Sequence, residues 1–197
     1  MTYIYTRMII EHLHENIYKV KDFMSMKTCQ ELVEYIDKNA VHHVKLAKNS
    51  NVRCNFIPAH MTPYMDTVKD VFTEIARKFF VMYRVKTMRC SDVSMRKIHG
   101  ATKMHVDGMY DDQMLEGDKI CTMDLRKLTF IVALNGDYES GELIFPKQNF
   151  KLKLKAGEAV IFPPYWTHIH LTEPPTNNTF RYTLNGWLCG ADYDGHG

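Results

Sequence analysis

The stretch Met104-His105-Val106-Asp107 is the most informative in this chain, and Trp166-Thr-His168-Ile-His170 and Arg181 follow it further along. His105 and Asp107 lie two residues apart, so on an extended strand both side chains point to one face and can reach one ion. Either His168 or His170 can supply a third ligand if its strand folds back beside the first. Two histidines and one carboxylate are the smallest set that holds a redox-active Fe(II) and leaves coordination positions open. Arg181 then offers a fixed cation for an acidic co-substrate.

Composition sets the broad class of protein. The 197 residues suit one domain, and an apolar content of 45% with 12% aromatic residues is sufficient for a hydrophobic core. Lys and Arg (25) nearly balance Asp and Glu (23), giving a net charge of +2. Binding of nucleic acid through bulk charge is therefore not expected.

The cysteines and the hydropathy pattern give an expected location. The five cysteines are odd in number and widely spaced, without CxxC pairs or a disulfide framework. This usage is typical of reduced thiols and predicts a cytoplasmic protein. No apolar run approaches the roughly 18 residues that a membrane span needs, so we expect a soluble, unprocessed protein with no membrane partner.

The first part of the chain predicts strands and two helices. Residues 8–20 are typical of one or two short strands. A first helix is predicted from Phe23 to Asn39 with Ser25 as N-cap, and a second from Thr62-Pro63 to about Tyr83. Residues 40–60 look irregular and are a candidate flap.

After about residue 87 the pattern changes to short alternating segments separated by turn signals such as Asn135-Gly136 and Ala156-Gly157. The predicted strands are 91–98, 103–107, 127–135, 142–146, 150–155, 158–163, 166–172 and 179–188. Many short strands favour an α+β, mainly β fold: a double-stranded β-helix, or jelly roll, with the N-terminal helices packed on one sheet. We expect one domain, 1–197, with helical support at about 20–85 and the jelly-roll core at about 88–188.

The jelly roll predicts where the functional residues lie. Because Pro174 to Asn178 turns the chain back, strand 179–188 is predicted to pair with strand 166–172. Arg181 would then lie one strand away from His170, and Thr183, two residues on, would add a hydroxyl on the same face. The polar segment 108–126 follows the metal motif directly and is predicted to be either a lid that shapes substrate choice or a plain surface insertion, with Tyr110 its most interesting residue.

A set of motifs in fixed order resembles one enzyme family. They are Met104-His-Val-Asp107, Ser140-Gly-Glu-Leu-Ile-Phe-Pro146, Ala156-Gly-Glu-Ala-Val-Ile-Phe-Pro163, His170-Leu-Thr-Glu-Pro174 and Arg181-Tyr-Thr-Leu-Asn-Gly-Trp187. Across roughly residues 88 to 188 their order and spacing resemble the Fe(II)- and 2-oxoglutarate-dependent dioxygenases, in particular the prolyl 4-hydroxylase-like branch.

The resemblance implies a ligand set and cofactors. Fe(II) would be held by His105, Asp107 and His170, with His170 preferred over His168 because the family's distal histidine is typically followed by a proline four residues on. The distal carboxylate of 2-oxoglutarate would bind Arg181, and ascorbate is a possible reductant. His168, Tyr110 and Trp187 would lie beside the ligands or face the substrate.

One departure from the branch concerns the co-substrate. The branch often has a tyrosine before the HxD motif that helps hold 2-oxoglutarate, whereas Arg96-Lys-Ile-His-Gly100 contains none. Thr183 or Thr129 could substitute for it.

The expected function is hydroxylation of a substrate with release of succinate and CO₂. A peptidyl residue, with proline as first guess, is the substrate that the resemblance implies, and a small molecule is the alternative. Two other classes of protein remain open: a non-catalytic cupin-like barrel that binds a metal or a small acid, and a metal-dependent hydrolase or isomerase on the same fold. A binding barrel has no need for a complete triad with Arg181, and a hydrolase would form no succinate.

Overall fold

The computed structural model describes residues 8–40, 42–45, 53–83, 89–90, 93–108, 113–116, 119–122 and 125–190. Its helices are α1 (Met26–Asn39) and α2 (Met65–Tyr83). Its strands are, in chain order, β1 (Ile9–His14), β2 (Ile17–Lys21), β3 (His42–Lys45), β4 (Arg53–Pro58), β5 (Arg89–Cys90), β6 (Ser94–Ile98), β7 (Thr102–His105), β8 (Gln113–Glu116), β9 (Lys119–Thr122), β10 (Leu125–Ala133), β11 (Glu139–Ser140), β12 (Leu143–Phe145), β13 (Phe150–Leu152), β14 (Ala159–Phe162), β15 (His170–Thr172), β16 (Pro175–Thr176) and β17 (Arg181–Gly190).

Both helices begin where side-chain chemistry favours a start. The Ser25 hydroxyl accepts a hydrogen bond from the Thr28 amide at 3.1 Å, which confirms the predicted N-cap of α1. The second helix begins at Met65, two residues after Pro63, and the Thr62 hydroxyl accepts from the Tyr64 amide. Each helix buries an apolar stripe at helical spacing. The buried residues are Cys29, Leu32 and Ile36 in α1, and Val68, Phe72, Ile75 and Phe79 in α2.

The larger sheet has the strand order β1-β2-β14-β10-β17-β6-β4-β3, and β5 pairs with β17. Its outer face packs on the helices, because alternate residues of β10 (Leu128, Phe130 and Val132) share a core with the helix stripes. The ring of Phe72 in α2 stacks on Phe130 with centroids 3.7 Å apart. The predicted packing of the helices on one sheet is thus confirmed.

The smaller sheet has the order β13-β12-β15-β7 and lies against the inner face of the larger one. Leu143 and Phe145 of β12 form a second core with Val160 and Phe162 of β14, the residues that alternate with the helix-facing ones. All pairings in both sheets are antiparallel. The fold is therefore mainly β with two facing sheets, as the jelly-roll prediction requires.

Two expectations about individual segments differ from the structure. Residues 40–60 contain the β3–β4 hairpin, which extends the larger sheet through β4–β6 pairing, so this segment is not simply irregular. Strand β17 pairs with β10, β6 and β5, not with β15, because β16 within the intervening turn pairs with β11 as the chain crosses between sheets. The described parts of segment 108–126 include a two-stranded hairpin, β8–β9.

Two further findings concern membrane-spanning helices and disulfides. Among the described residues, neither helix is both long and apolar enough to cross a membrane. Among the cysteines whose side chains the structure describes, Cys29, Cys54, Cys90 and Cys189 form no disulfide.

Candidate metal centre and its cavity

Three side chains form a candidate metal site where β7 and β15 meet. His105 ends β7 and is the register partner of His170, the first residue of β15, while Asp107 follows β7 by two residues. The Nε2 atoms of His105 and His170 lie 3.4 and 3.5 Å from the two carboxylate oxygens of Asp107. One ligand atom from each of the three residues lies within 4.8 Å of the others. A single ion can therefore contact all three.

Both histidine rings are oriented by backbone carbonyls. The Nδ1 atom of His105 lies 2.8 Å from the Lys103 carbonyl oxygen, and that of His170 lies 3.0 Å from the His168 carbonyl oxygen. A carbonyl only accepts, so each Nδ1 carries the proton and each Nε2 presents a lone pair toward Asp107. This arrangement fixes the tautomer that a metal ligand needs.

Asp107 is held by several groups on neighbouring elements. The Thr129 hydroxyl on β10 donates to Asp107 Oδ2 at 3.0 Å, and Arg126 Nη1 donates to the Asp107 carbonyl oxygen at 2.6 Å. The amides of Asp107 and Gly108 both donate to the Pro164 carbonyl oxygen. Two segments, β10 and the loop at Pro164, thus determine the position of Asp107.

The site's electrostatics favour an ionised Asp107 and a neutral His170. Burial alone would raise the pKa of Asp107, but in the metal-free site the hydrogen bond from protonated His105 and the charge that His170 carries when protonated hold it at about 2. Burial lowers the pKa of His170, whereas the hydrogen bond and charge of Asp107 outweigh burial at His105 and raise its pKa. A carboxylate with a neutral imidazole beside it is the protonation state in which a divalent cation binds.

His168 takes a different position from His170. Its side chain is buried, and its ring nitrogens contact the Thr167 hydroxyl at 2.9 Å and the Glu15 carbonyl oxygen at 2.7 Å in the β1–β2 turn. The residue is in a 3₁₀ turn before β15 rather than on the strand, so the two-residue alternation that would align it with His170 does not apply. Its link to the site is its carbonyl, which orients the His170 ring.

Arg181 reaches the cavity from the larger sheet. It is only 8% exposed, and it donates from Nη1 to the Gly141 carbonyl oxygen at 2.8 Å and from Nη2 to the Thr172 hydroxyl at 3.3 Å. Thr172 lies two residues beyond His170 on β15, so Arg181 contacts the strand of the triad from the facing sheet and not from a paired strand. The Nε–H of Arg181 is buried and has no hydrogen-bond partner among the described residues.

The other predicted site residues lie in varied places. Trp187 lines the cavity, and its ring lies under the Arg126 guanidinium with 3.5 Å between Cζ and the ring centroid. The Thr183 hydroxyl donates to Asn185 Oδ1 at 2.6 Å, and its side chain lines a smaller cavity that Arg181 also lines. Tyr110 lies outside the described residues.

The sequence did not identify Arg96, Arg126 and Thr172 as site residues. It offered Thr129 for the co-substrate and did not indicate its contact with Asp107. Arg126 and Thr129 lie on β10, three residues apart, and both hold Asp107. Thr172 is on the His170 face of β15, a position that strand alternation could have indicated. Arg96 lines the cavity from β6, and only the pairing of β6 with β17 brings it near Arg181.

These residues surround one cavity of about 470 Å³ between the sheets. The triad and Arg181 both line it, together with Thr102, Thr172 and Asn185. An oriented pair of Nε2 atoms, an ionised carboxylate and a buried arginine with an unused N–H fit a metal ion together with an anionic chelator. The donor set therefore suits Fe(II) and a small dicarboxylate.

Comparison with known families agrees with this chemistry. Residues 93–189 match the model of the 2OG-Fe(II) oxygenase superfamily. This segment contains the triad and Arg181. The domain that these residues form has the features of that superfamily, whose members use Fe(II) and 2-oxoglutarate, and its metal site suits the same chemistry. No curated protein matches the chain.

Solved structures share the fold. A viral collagen prolyl hydroxylase from Paramecium bursaria Chlorella virus-1, in its 2-oxoglutarate complex, is 23% identical, with 90% of this chain and 97% of that chain covered and a TM-score of 0.65. A Pseudomonas putida prolyl-4-hydroxylase is 15% identical, with 90% and 93% covered and a TM-score of 0.66. A Trichoplax adhaerens prolyl hydroxylase, in complex with a peptide fragment of the oxygen degradation domain of hypoxia inducible factor, is 14% identical, with 88% and 83% covered and a TM-score of 0.65.

Proposed function

We propose that this oxygenase hydroxylates a peptidyl residue, with proline as the first candidate, and releases succinate and CO₂. The observation that carries the reaction class is the convergence of His105, Asp107 and His170 with Arg181 on one cavity. A metal-binding barrel without turnover has no need for a buried arginine in the same cavity. The family match of residues 93–189 likewise favours the oxygenase over the binding barrel and the hydrolase.

In this proposal each side chain has a specific task. His105, Asp107 and His170 hold Fe(II), and Arg181 binds the distal carboxylate of 2-oxoglutarate. Bound Fe(II) and 2-oxoglutarate supply the oxidising chemistry, in which decarboxylation of the keto acid accompanies activation of dioxygen. Thr129 and the two backbone carbonyls keep the ligand atoms in place, while the apolar walls of the cavity keep bulk water from the reacting atoms.

A peptide substrate is supported by the neighbouring structures and by exposed apolar side chains near the metal ligands in the chain. All three named neighbours are prolyl hydroxylases, one of them with a bound peptide fragment. Two large apolar side chains beside the ligand segments are exposed: Met104 (62%), next to His105, and Trp166 (60%). Trp166 follows Tyr165, whose side chain lies against Gly108 just beyond Asp107. In this proposal, an extended peptide that reaches the metal centre covers Trp166.

The remaining roles belong to the same proposal. His168 and Trp187 lie beside the ligands or the substrate, and segment 108–126 with Tyr110 covers the bound substrate as a lid. The helices and the sheets act as one domain, which is supported by the core that they share. Thr183 supports the co-substrate end of the cavity, next to Arg181.

The reaction class is tested by anaerobic titration of the Fe(II)-loaded protein with 2-oxoglutarate. We expect the weak visible charge-transfer band that the keto acid gives on chelating Fe(II), its bleaching by oxygen, and formation of succinate. Asp107→Ala is the matched variant that should give no band. Absence of the band in protein that demonstrably holds Fe(II) would refute the oxygenase chemistry.

The substrate class is tested separately, with proline-containing peptides, free proline and other free amino acids as substrates, and mass spectrometry as the assay. We expect a peptide to gain one oxygen atom in step with succinate formation. Trp166→Ala should raise the KM for that peptide and leave the affinity for 2-oxoglutarate unchanged. Oxygenation of a free amino acid but of no peptide would refute the peptide proposal and leave the reaction class standing.

A further inference from the structure

A second arginine faces the interior of the barrel beside Arg181. In the β6–β17 pairing, Arg96 is the register partner of Thr183, and Ile98 is the partner of Arg181. Residues paired across antiparallel strands share one face of the sheet, so Arg96 and Arg181 lie diagonally on the same face. Diagonal neighbours have Cα atoms roughly 7–8 Å apart, a separation that two long guanidinium side chains easily bridge. Both residues line the 470 Å³ cavity.

Little negative charge faces Arg96 within the described part of the cavity. Asp107 is the only carboxylate among the described residues that line it, and Asp107 already faces the two histidines. Arg96 makes no ion pair or hydrogen bond with another described residue. Burial lowers the pKa of both arginines, and the charge of Arg96 lowers that of Arg181 further, whereas Asp107 partly offsets the effect of burial at Arg96. Two cations that line one cavity with a single carboxylate are costly unless an anion joins them.

We propose that Arg96 and Arg181 together bind the distal carboxylate of 2-oxoglutarate. The stretch before the HxD motif lacks the tyrosine that the related branch often uses for this co-substrate, and Arg96 lies in that stretch. A carboxylate has about four lone-pair sites, so two guanidinium groups can donate to it at once. The unused buried N–H of Arg181 is one donor available for such a ligand.

The assignment depends on the co-substrate and not on the substrate proposed above. The experiment is therefore a binding titration without any peptide or oxygen. Protein loaded with Mn(II), which does not turn over, is titrated calorimetrically with 2-oxoglutarate and with 2-oxobutyrate, a keto acid that lacks the distal carboxylate. The variants are Arg96→Met, Arg96→Lys, Arg181→Met and the double Arg96→Met/Arg181→Met.

Loss of one charge-assisted hydrogen-bond donor predicts a weakening of 2-oxoglutarate binding by about tenfold or more in Arg96→Met. Arg96→Lys should recover part of that loss. The double variant should bind 2-oxoglutarate more weakly than either single variant. Its fold-loss in affinity should be smaller than the product of the two single losses, because both arginines act on one carboxylate. Binding of 2-oxobutyrate should change less than about threefold in Arg96→Met.

The matched control is Lys97→Met. Lys97 is the next residue on β6, and it faces the helices, where it pairs with Asp37 of α1 at 2.6 Å. This variant loses the same unit of charge from the opposite face of the strand, so its affinity for 2-oxoglutarate should stay within about twofold of the wild type.

Thermal unfolding gives a second readout that a structural role of Arg96 would not produce. Removing one of two cations that line the same cavity should leave the melting temperature of the ligand-free protein unchanged or raise it, while the increase caused by 2-oxoglutarate shrinks. Three results would overturn the proposal: wild-type affinity for 2-oxoglutarate in Arg96→Met, equal weakening for both keto acids, or a lower melting temperature with the ligand-induced increase intact.

Discussion

The Thr129–Asp107 hydrogen bond makes a quantitative prediction about metal affinity. Thr129 is 2% exposed, and its hydroxyl donates to Asp107 Oδ2 at 3.0 Å, on the carboxylate oxygen that also faces His170. Thr129→Val keeps the shape of the side chain and removes only the donor. The carboxylate then loses one of the contacts that hold it in the position where three ligands meet.

The expected magnitude follows from the kind of bond. A hydrogen bond to a charged group contributes about 1.5–3 kcal/mol. Removal of a group that orients a metal ligand typically weakens metal binding by about 10–100-fold, which corresponds to roughly 1.4–2.7 kcal/mol. The two ranges overlap, so we expect the Kd for Mn(II) to rise at least about tenfold in Thr129→Val.

The assay is anaerobic equilibrium titration of Mn(II) or Fe(II) against a competing chelator. Thr129→Ser, which retains the hydroxyl, should bind the metal within about threefold of the wild type. Affinity for 2-oxoglutarate in the metal-saturated variant should change little, since the hydroxyl points to Asp107. If Thr129→Val binds Mn(II) as tightly as Thr129→Ser does, the orienting role of this hydroxyl is wrong.

Three shorter predictions follow from the same structure. His170→Ala should lose metal in equilibrium dialysis and His168→Ala should retain it, because the His168 ring faces the β1–β2 turn; the opposite order would contradict the ligand set. The pKa of Asp107 falls from an ordinary 3.8 to about 2, so its charge stabilises the metal-free fold above pH 3.8 by about 2 kcal/mol, and this is lost as pH falls through 2. Urea unfolding between pH 5 and 2 should show that loss in the wild type and not in Asp107→Asn, and parallel curves would rule it out. Gly157→Ala should lower the melting temperature by about 4 °C or more, since φ is +79° and a Cβ would lie 2.5 Å from the Met24 carbonyl oxygen; a change below about 1 °C would show that the turn relaxes.

Features that depend on neighbours in sequence could be predicted from the sequence. The Ser25 cap, the apolar stripe of α2 and the turn at Gly157 each depend on contacts within a few residues or on one backbone angle. The spacing of His105 and Asp107 is equally local, because residues two apart on an extended chain share a face. These patterns were sufficient to predict two helices, a series of short strands and the candidate metal ligands on β7.

Features that depend on which strands become neighbours could not be predicted in the same way. Alternation indicates which face of a strand is buried, but it does not indicate the partner strand or the sheet. For this reason the prediction that 179–188 pairs with 166–172 was wrong. The prediction that 40–60 is irregular was also wrong, because β4 pairs with β6. The short strand β3 (His-His-Val-Lys) also carries little apolar alternation from which to recognise it.

The sequence by itself determined the chemistry: two histidines, a carboxylate and an arginine, in an order and spacing typical of one superfamily. The tertiary structure decided which atoms meet. In the folded chain the His168 ring contacts the β1–β2 turn and not the metal site. Arg181 reaches Thr172 from the facing sheet, and Arg96 lies beside Arg181. The physical reason is that ligand identity is a property of residues, whereas their convergence depends on pairings between strands far apart in the chain, whose free energy comes from packing the whole double sheet.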